Sequence, residues 1–173
     1  MTTDELRELY RLKNIIRYNT RSKIKTESVA EHSFYVAIIA LKLCDEYGID
    51  SITTRDIVIK ALLHDMPEIE INDITYDAKE RLNLRPYLKK YEDDYYDRRF
   101  PKYAKLMKKS STLVQLIVDT ADAMSVIQYA NNEISLGNNS AEMQQILDES
   151  KVRVENYLKK LNKFGGKKDE KNK

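Results

Sequence analysis

Apolar residues recur at helical spacing along most of the chain. Thr2 followed by Glu5 is a capping-box pattern, and Leu6, Leu9, Leu12 and Ile16 then repeat every three or four residues. This predicts a first helix ending near Arg17, before the polar stretch 19–25. Ser28 and Glu31 repeat the pattern ahead of Val29, Val36, Ile39, Ala40 and Leu43, with Gly48 as the stop. A third helix is expected from Thr53 or Thr54, through Ile57, Val58, Ala61 and Leu62, to His64 and Asp65, where Pro67 bars continuation. Residues 69–83 keep no clean period and read as a loop with short turns. Pro86 can occupy a first helical position ahead of Leu88, Tyr91 and Tyr95, and Pro101 breaks that segment. Residues 110–133 are apolar around much of the helix girth, which predicts a central element, and a last helix covers 141–161.

Composition narrows the class. With only 4 Gly and 3 Pro in 173 residues, a many-turned β fold is excluded in favour of long helices. The expectation is an all-α, compact bundle of about six to eight helices over residues 1–164, with a charged flexible tail over 165–173. Lys and Arg number 30 against 28 Asp and Glu, so no stable nucleic-acid partner is expected. Residues 87–109 interleave Tyr91, Tyr95, Tyr96 and Tyr103 with Lys and Arg, as a single-strand binder does. Glu92, Asp93, Asp94 and Asp97 oppose that reading, and tyrosines at this spacing point to packing or subunit contacts. Cys44 is the only cysteine, so no intramolecular disulfide can form, and a reducing cytoplasm is the expected compartment. No apolar run reaches the roughly 18 residues of a spanning helix, and the acidic N-terminus lacks a secretory signal.

The chain has 2 histidines, and both sit on apolar helical rows. The plain reading of one such histidine is a hydrogen-bonded core residue. Here His64 is followed by Asp65 at a helix end, where unsatisfied carbonyls favour a cation. Asp122 lies on the row Val118–Asp122–Val126, where an ionised carboxylate is costly unless paired or bound to metal. Asp119 competes on the same helix but occupies another face, and small Ala121 and Ala123 leave space beside Asp122. Two imidazoles and two carboxylates suit Mn, Fe, Co, Ni or Zn better than Ca.

These residues carry a family resemblance. Arg11-Leu12-Lys13 with Arg17, then Thr26-Glu27-Ser28-Val29-Ala30-Glu31-His32-Ser33, resemble an opening helix and a first ligand segment of the form R-x-E-[ND]-V-[SA]-E-H-[ST]. Leu63-His64-Asp65-Met66-Pro67-Glu68 resembles an H-D-x-x-E segment, and residues 128–139, with Glu133 and Gly137-Asn138-Asn139, the stretch after the last ligand. Together they resemble the HD-domain superfamily of metal-dependent phosphohydrolases, and within it the YfbR-like 5′-deoxynucleotidases. The resemblance implies that His32, His64, Asp65 and Asp122 hold one divalent cation (Co, Mn, Fe, Ni, Zn or Mg). It implies Arg17 as a phosphate-binding cation, Glu68 as the residue positioning or deprotonating water, and Asp73 near the sugar or leaving oxygen. Lys79 matches a basic residue six positions later, and Tyr18 stands where the family often has Trp. The family loop D-[LI]-P-T-P-x-K reads here Asp73-Ile74-Thr75-Tyr76-Asp77-Ala78-Lys79, without its prolines.

The implied activity is hydrolysis of the 5′-phosphate of deoxyribonucleoside monophosphates by a homo-oligomer, a dimer or higher. A rival within the superfamily is a dNTP triphosphohydrolase of the dATP type, since compact viral enzymes of that kind also resemble this chain. It needs further cations, for which Lys23, Lys25, Arg81 and Arg85 are placed in neighbouring segments. A rival of another class is a non-catalytic nucleotide- or nucleic-acid-binding helical module.

Overall fold

The computed structural model describes residues 2–164 as an all-α bundle. The order is α1 (Thr3–Tyr10), a 3-10 turn (Arg11–Asn14), α2 (Val29–Tyr47), α3 (Ser51–Leu63), α4 (Glu68–Ile71) and α5 (Tyr76–Arg81). Then come α6 (Arg85–Arg99), α7 (Ala104–Lys108), α8 (Thr112–Ser135) and α9 (Ala141–Phe164). The charged tail expected over 165–173 lies outside the described residues.

Local chemistry sets the helix ends. Thr2 and Ser28 each accept a bond from the backbone of the glutamate three residues on, and that glutamate reaches back, so both capping boxes form. Gly48 closes α2 at φ 62, a left-handed conformation that costs least without a Cβ. Asp50 accepts from the Ile52 and Thr53 amides, which starts α3 two residues ahead of the expected Thr53. Thr75 caps α5, so residues 69–83 hold two short helices where turns were expected.

The first helix is shorter than its periodicity predicts. It stops at Tyr10 and does not reach Arg17. After the 3-10 turn the chain straightens, because the Val29 amide donates to the Ile15 carbonyl and the Arg17 amide to the Glu27 carbonyl, both at 2.9 Å. Leu12 and Ile15 still enter the core, so burial is kept while tertiary pairing overrides helix propensity.

Helices α2, α3 and α8 pack around Val36, Ala40, Ile57, Ala61, Ile117 and Ala121. A second cluster joins Leu12, Ile15 and Val29 to Met66, Ile69 and Tyr95. Tyr95 and Tyr96 are internal, so this part of the tyrosine-rich segment is core. Lys60 is buried and donates to the Met107 carbonyl at 2.9 Å, tying α3 to the end of α7. Among the described residues no helix is long and apolar enough to cross a membrane. Replacing Ser28 with alanine removes the cap of the helix that carries His32. A loss of about 1 kcal/mol in unfolding free energy is expected, read as a lower urea midpoint with the fold retained.

Candidate metal centre

Three elements deliver polar groups to one interior point. α2 supplies His32, which is fully buried. The end of α3 supplies His64 as its C-cap, with Asp65 next, and α8 supplies Asp122. Ligand atoms of His32, His64 and Asp65 all lie within 4.8 Å of one another. Asp65 Oδ2 is 3.1 Å from His64 Nε2 and 3.7 Å from His32 Nε2. Asp122 Oδ1 approaches His32 Nε2 at 3.1 Å, so it adjoins this set through His32. Asp119 instead accepts a bond from Gln115 at 2.7 Å.

These contacts are close in distance but not in direction. Nε2 of His32 and of His64 are buried, and neither makes a hydrogen bond. Buried polar atoms rarely go unpaired. Nitrogens and carboxylate oxygens that face a common point, and not each other, have the donor set that a divalent cation takes.

The outer atoms of the imidazoles are fixed. His64 Nδ1 lies 2.7 Å from the Ala61 carbonyl and donates to it, which leaves Nε2 as the ligating atom. His32 Nδ1 lies 2.6 Å from Arg17 Nη1 and 3.2 Å from Ser125 Oγ. Ser125 accepts from Nδ1–H in the tautomer that leaves Nε2 free, and Arg17 donates to Nδ1 in the other. Tyr96 Oη lies 2.7 Å from the Leu63 carbonyl and 2.9 Å from that of His64, and holds the end of α3.

Charge is concentrated here. Burial disfavours the charged form of His64, but the Asp65 and Asp122 carboxylates outweigh it and push its pKa up to about 9. Burial likewise opposes ionisation of Asp65, yet the two histidines and Arg17 hold its carboxyl well below the usual range. Burial and the Arg17 guanidinium both push His32 down, toward the neutral imidazole that a metal takes. Glu68, half-buried at the start of α4, is pushed up to about 9 by burial and by the charges of Asp65 and Asp73.

The remaining candidates surround this point unequally. Arg17 Nη1 donates to Glu27 at 2.8 Å, and both side chains are largely buried. Tyr18 sits at φ 54, its amide donates to Asp73 at 3.3 Å, and its ring stacks on Tyr129 at 4.9 Å. Lys79 acts on Glu68 through charge and makes no ion pair among the described residues. Sequence reasoning missed Glu27, Tyr96, Ser125 and Tyr129. Ser125 and Tyr129 carried a signal, since they follow Asp122 by three and seven residues and so share its helix face.

Solved structures share this architecture. An HD-domain phosphohydrolase from Listeria innocua matches with a TM-score of 0.74 and 25% identity, over 91% of this chain and 82% of its own. A protein from Pyrococcus horikoshii gives 0.72 and 27%, over 95% and 98%. The cyanophage S-2L HD phosphohydrolase, whose structure holds dA and one catalytic Zn2+ ion, gives 0.66 and 17%, over 95% and 96%. Among curated proteins none matches the chain. Fold and donor set together make the chain a metal-dependent phosphohydrolase of the HD-domain class. Residues 6–164 match the 5′-deoxynucleotidase YfbR-like family, and the chain belongs to it.

The titrations set a pH dependence. In the metal-free chain, folded His64 and Glu68 keep a proton up to about pH 9, whereas the unfolded chain releases it near the ordinary values of 6.5 and 4.5. The unfolded state then binds fewer protons, so the stability these groups contribute is lost as pH rises, from about 4.5 for Glu68 and about 6.5 for His64, through about 9. Urea unfolding in EDTA at both ends of that window reads the loss. Added Zn2+ is expected to stabilise more at the upper end, because ligands bind metal deprotonated. Separately, Tyr96→Phe leaves the α3 carbonyls without their donor and should cost about 1–3 kcal/mol in the same assay.

Proposed function

We propose that the chain hydrolyses the 5′-phosphate of deoxyribonucleoside monophosphates, giving deoxynucleoside and phosphate. The observation that carries this reading is the single guanidinium of Arg17, seated directly beside the His32, His64 and Asp65 set. One planar fork suits one phosphoryl group. Two of the further cations that a triphosphate needs are engaged elsewhere. Lys23 donates to the Tyr18 carbonyl at 2.9 Å, and Arg85 is paired with Glu80. The dA in the cyanophage enzyme is a deoxynucleoside, the organic product of either cleavage, so it supports the substrate class and leaves the dNTP reading as the rival.

His32, His64 and Asp65, with Asp122, would hold the cation. When bound, it polarises a phosphate oxygen and lowers the pKa of water. Arg17 orients the phosphoryl group and offsets charge that grows on its oxygens. Glu68 aligns the attacking water and takes its proton. Its raised pKa gives a base of useful strength once positive charge beside Asp65 draws it toward neutrality. Asp73 assists the departing alcohol or orients the sugar, Lys79 adds charge for the phosphoryl oxygens, and Tyr18, whose amide donates to Asp73, offers a ring edge. The reading keeps a cytoplasmic setting, in line with the single buried Cys44, and a homo-oligomer, which rests on family likeness.

Asp65→Ala should abolish turnover and metal retention with helical circular dichroism nearly unchanged, and full activity would sink the site. Glu68→Gln should lower kcat by about 10²–10⁴-fold while metal content stays at the parental level. A panel of dNMPs and dNTPs, scored for orthophosphate against triphosphate release, separates the two substrates.

A further inference from the structure

α8 does more than supply Asp122. Asp122, Ser125, Tyr129 and Glu133 follow one another at three- and four-residue intervals and form one stripe about 16 Å long. Its near end meets the histidines. Its far end meets the segment that connects Arg17 to Glu27.

Glu133 is 1% exposed. Its Oε2 accepts from the Ile24 amide at 2.7 Å and from Asn138 Nδ2 at 2.8 Å, and its Oε1 accepts from the Lys25 amide at 2.7 Å. Asn138 Nδ2 also donates to the Ser22 carbonyl at 3.0 Å. Tyr129 Oη donates to the Lys25 carbonyl at 3.2 Å, and its ring lies under Tyr18. Surface segments normally satisfy such amides with water. Here a carboxylate is buried to hold the adjacent amides of Ile24 and Lys25, which costs desolvation, while Asn138 and Tyr129 hold the carbonyls of Ser22 and Lys25.

We propose that Glu133 is a positioning residue, whose buried carboxylate clamps segment 18–27 to α8 and so holds Arg17 and Tyr18 over the metal centre. The proposal rests on Arg17 as the phosphate-binding cation. It assigns a role to a residue about 16 Å from the chemistry. It also makes segment 18–27 the element whose order sets substrate affinity.

The test compares Zn2+-loaded parent and Glu133→Gln protein. The amide of glutamine cannot accept at both oxygen positions, so one backbone N–H meets a donor. Hydrogen exchange at Ile24 and Lys25 should speed up. Affinity for inorganic phosphate and kcat/KM for the cleaved nucleotide should both fall by about 10- to 100-fold, mainly through KM. Zinc stoichiometry should not change. Tyr129→Phe and Asn138→Ala, which remove one tether each and leave the carboxylate in place, should shift the same readouts in the same direction by less. They carry the test if Glu133→Gln fails to fold. Parental phosphate affinity alongside faster exchange overturns the clamp, and so does loss of zinc in step with activity. A parent that binds phosphate but cleaves no deoxynucleotide overturns the proposed substrate and leaves the clamp to be judged on phosphate affinity.

Discussion

The seating of the half-buried Asp65 carboxylate between two imidazoles is the constraint on which the rest of the molecule depends. Its Oδ2 lies 3.1 Å and 3.7 Å from two Nε2 atoms that are themselves buried and without hydrogen bonds. A carboxylate so largely withdrawn from water is tolerated only when charge is balanced and geometry is held. The fold supplies that hold from outside the set. Ala61 fixes one ring, Ser125 the other in the tautomer that leaves Nε2 free, and Tyr96 pins the turn from which Asp65 projects. In the metal-free chain a proton on His64 balances the carboxylates. A divalent cation replaces that proton, so the same strain that lowers stability at high pH favours metal uptake there.

Around this point, recognition and catalysis are distributed between opposite ends of short elements. α4 begins with Glu68 immediately after the turn that carries Asp65, so the proposed base and a proposed ligand are placed by one short stretch of backbone. The extended pairing of residues 15–17 with 27–29 puts Arg17 beside Glu27 and, through α2, beside His32. The break in the first helix is therefore what brings the guanidinium to the site. A helix continued to Arg17 would lose both backbone bonds to residues 27–29.

Much of this was legible in the sequence, and what was missed has a physical reason. Both capping boxes, Gly48 and the apolar girth of α8 are local signals, and each appears where its residues predict. The rows bearing His32 and Asp122 were visible because a polar residue interrupted an otherwise apolar helix face. The end of the first helix was not legible, because the bonds that straighten residues 15–17 come from residues 27–29, and periodicity does not report such pairing. Tyr96 was read as packing. Its ring does pack, but its hydroxyl holds the α3 terminus, and only the fold brings positions 63 and 96 together. Residues 69–83 failed as a periodic signal because helices of four and six residues complete too few turns to show a face.

The pairing of Arg17 with Glu27 bears on how a phosphate is received. A guanidinium has five N–H donors in a planar fork; at Nη1, Glu27 takes one and His32 Nδ1 lies 2.6 Å away, which leaves Nη2 and Nε. A phosphoryl group can therefore be gripped through the remaining donors without displacing the carboxylate. Because both side chains are largely buried, the pair is set before substrate arrives, and little side-chain entropy is lost on binding. The carboxylate also tempers the positive field. Any anion that reaches this guanidinium must compete with the carboxylates of Glu27, Asp65 and Asp122, whose charges already act on it.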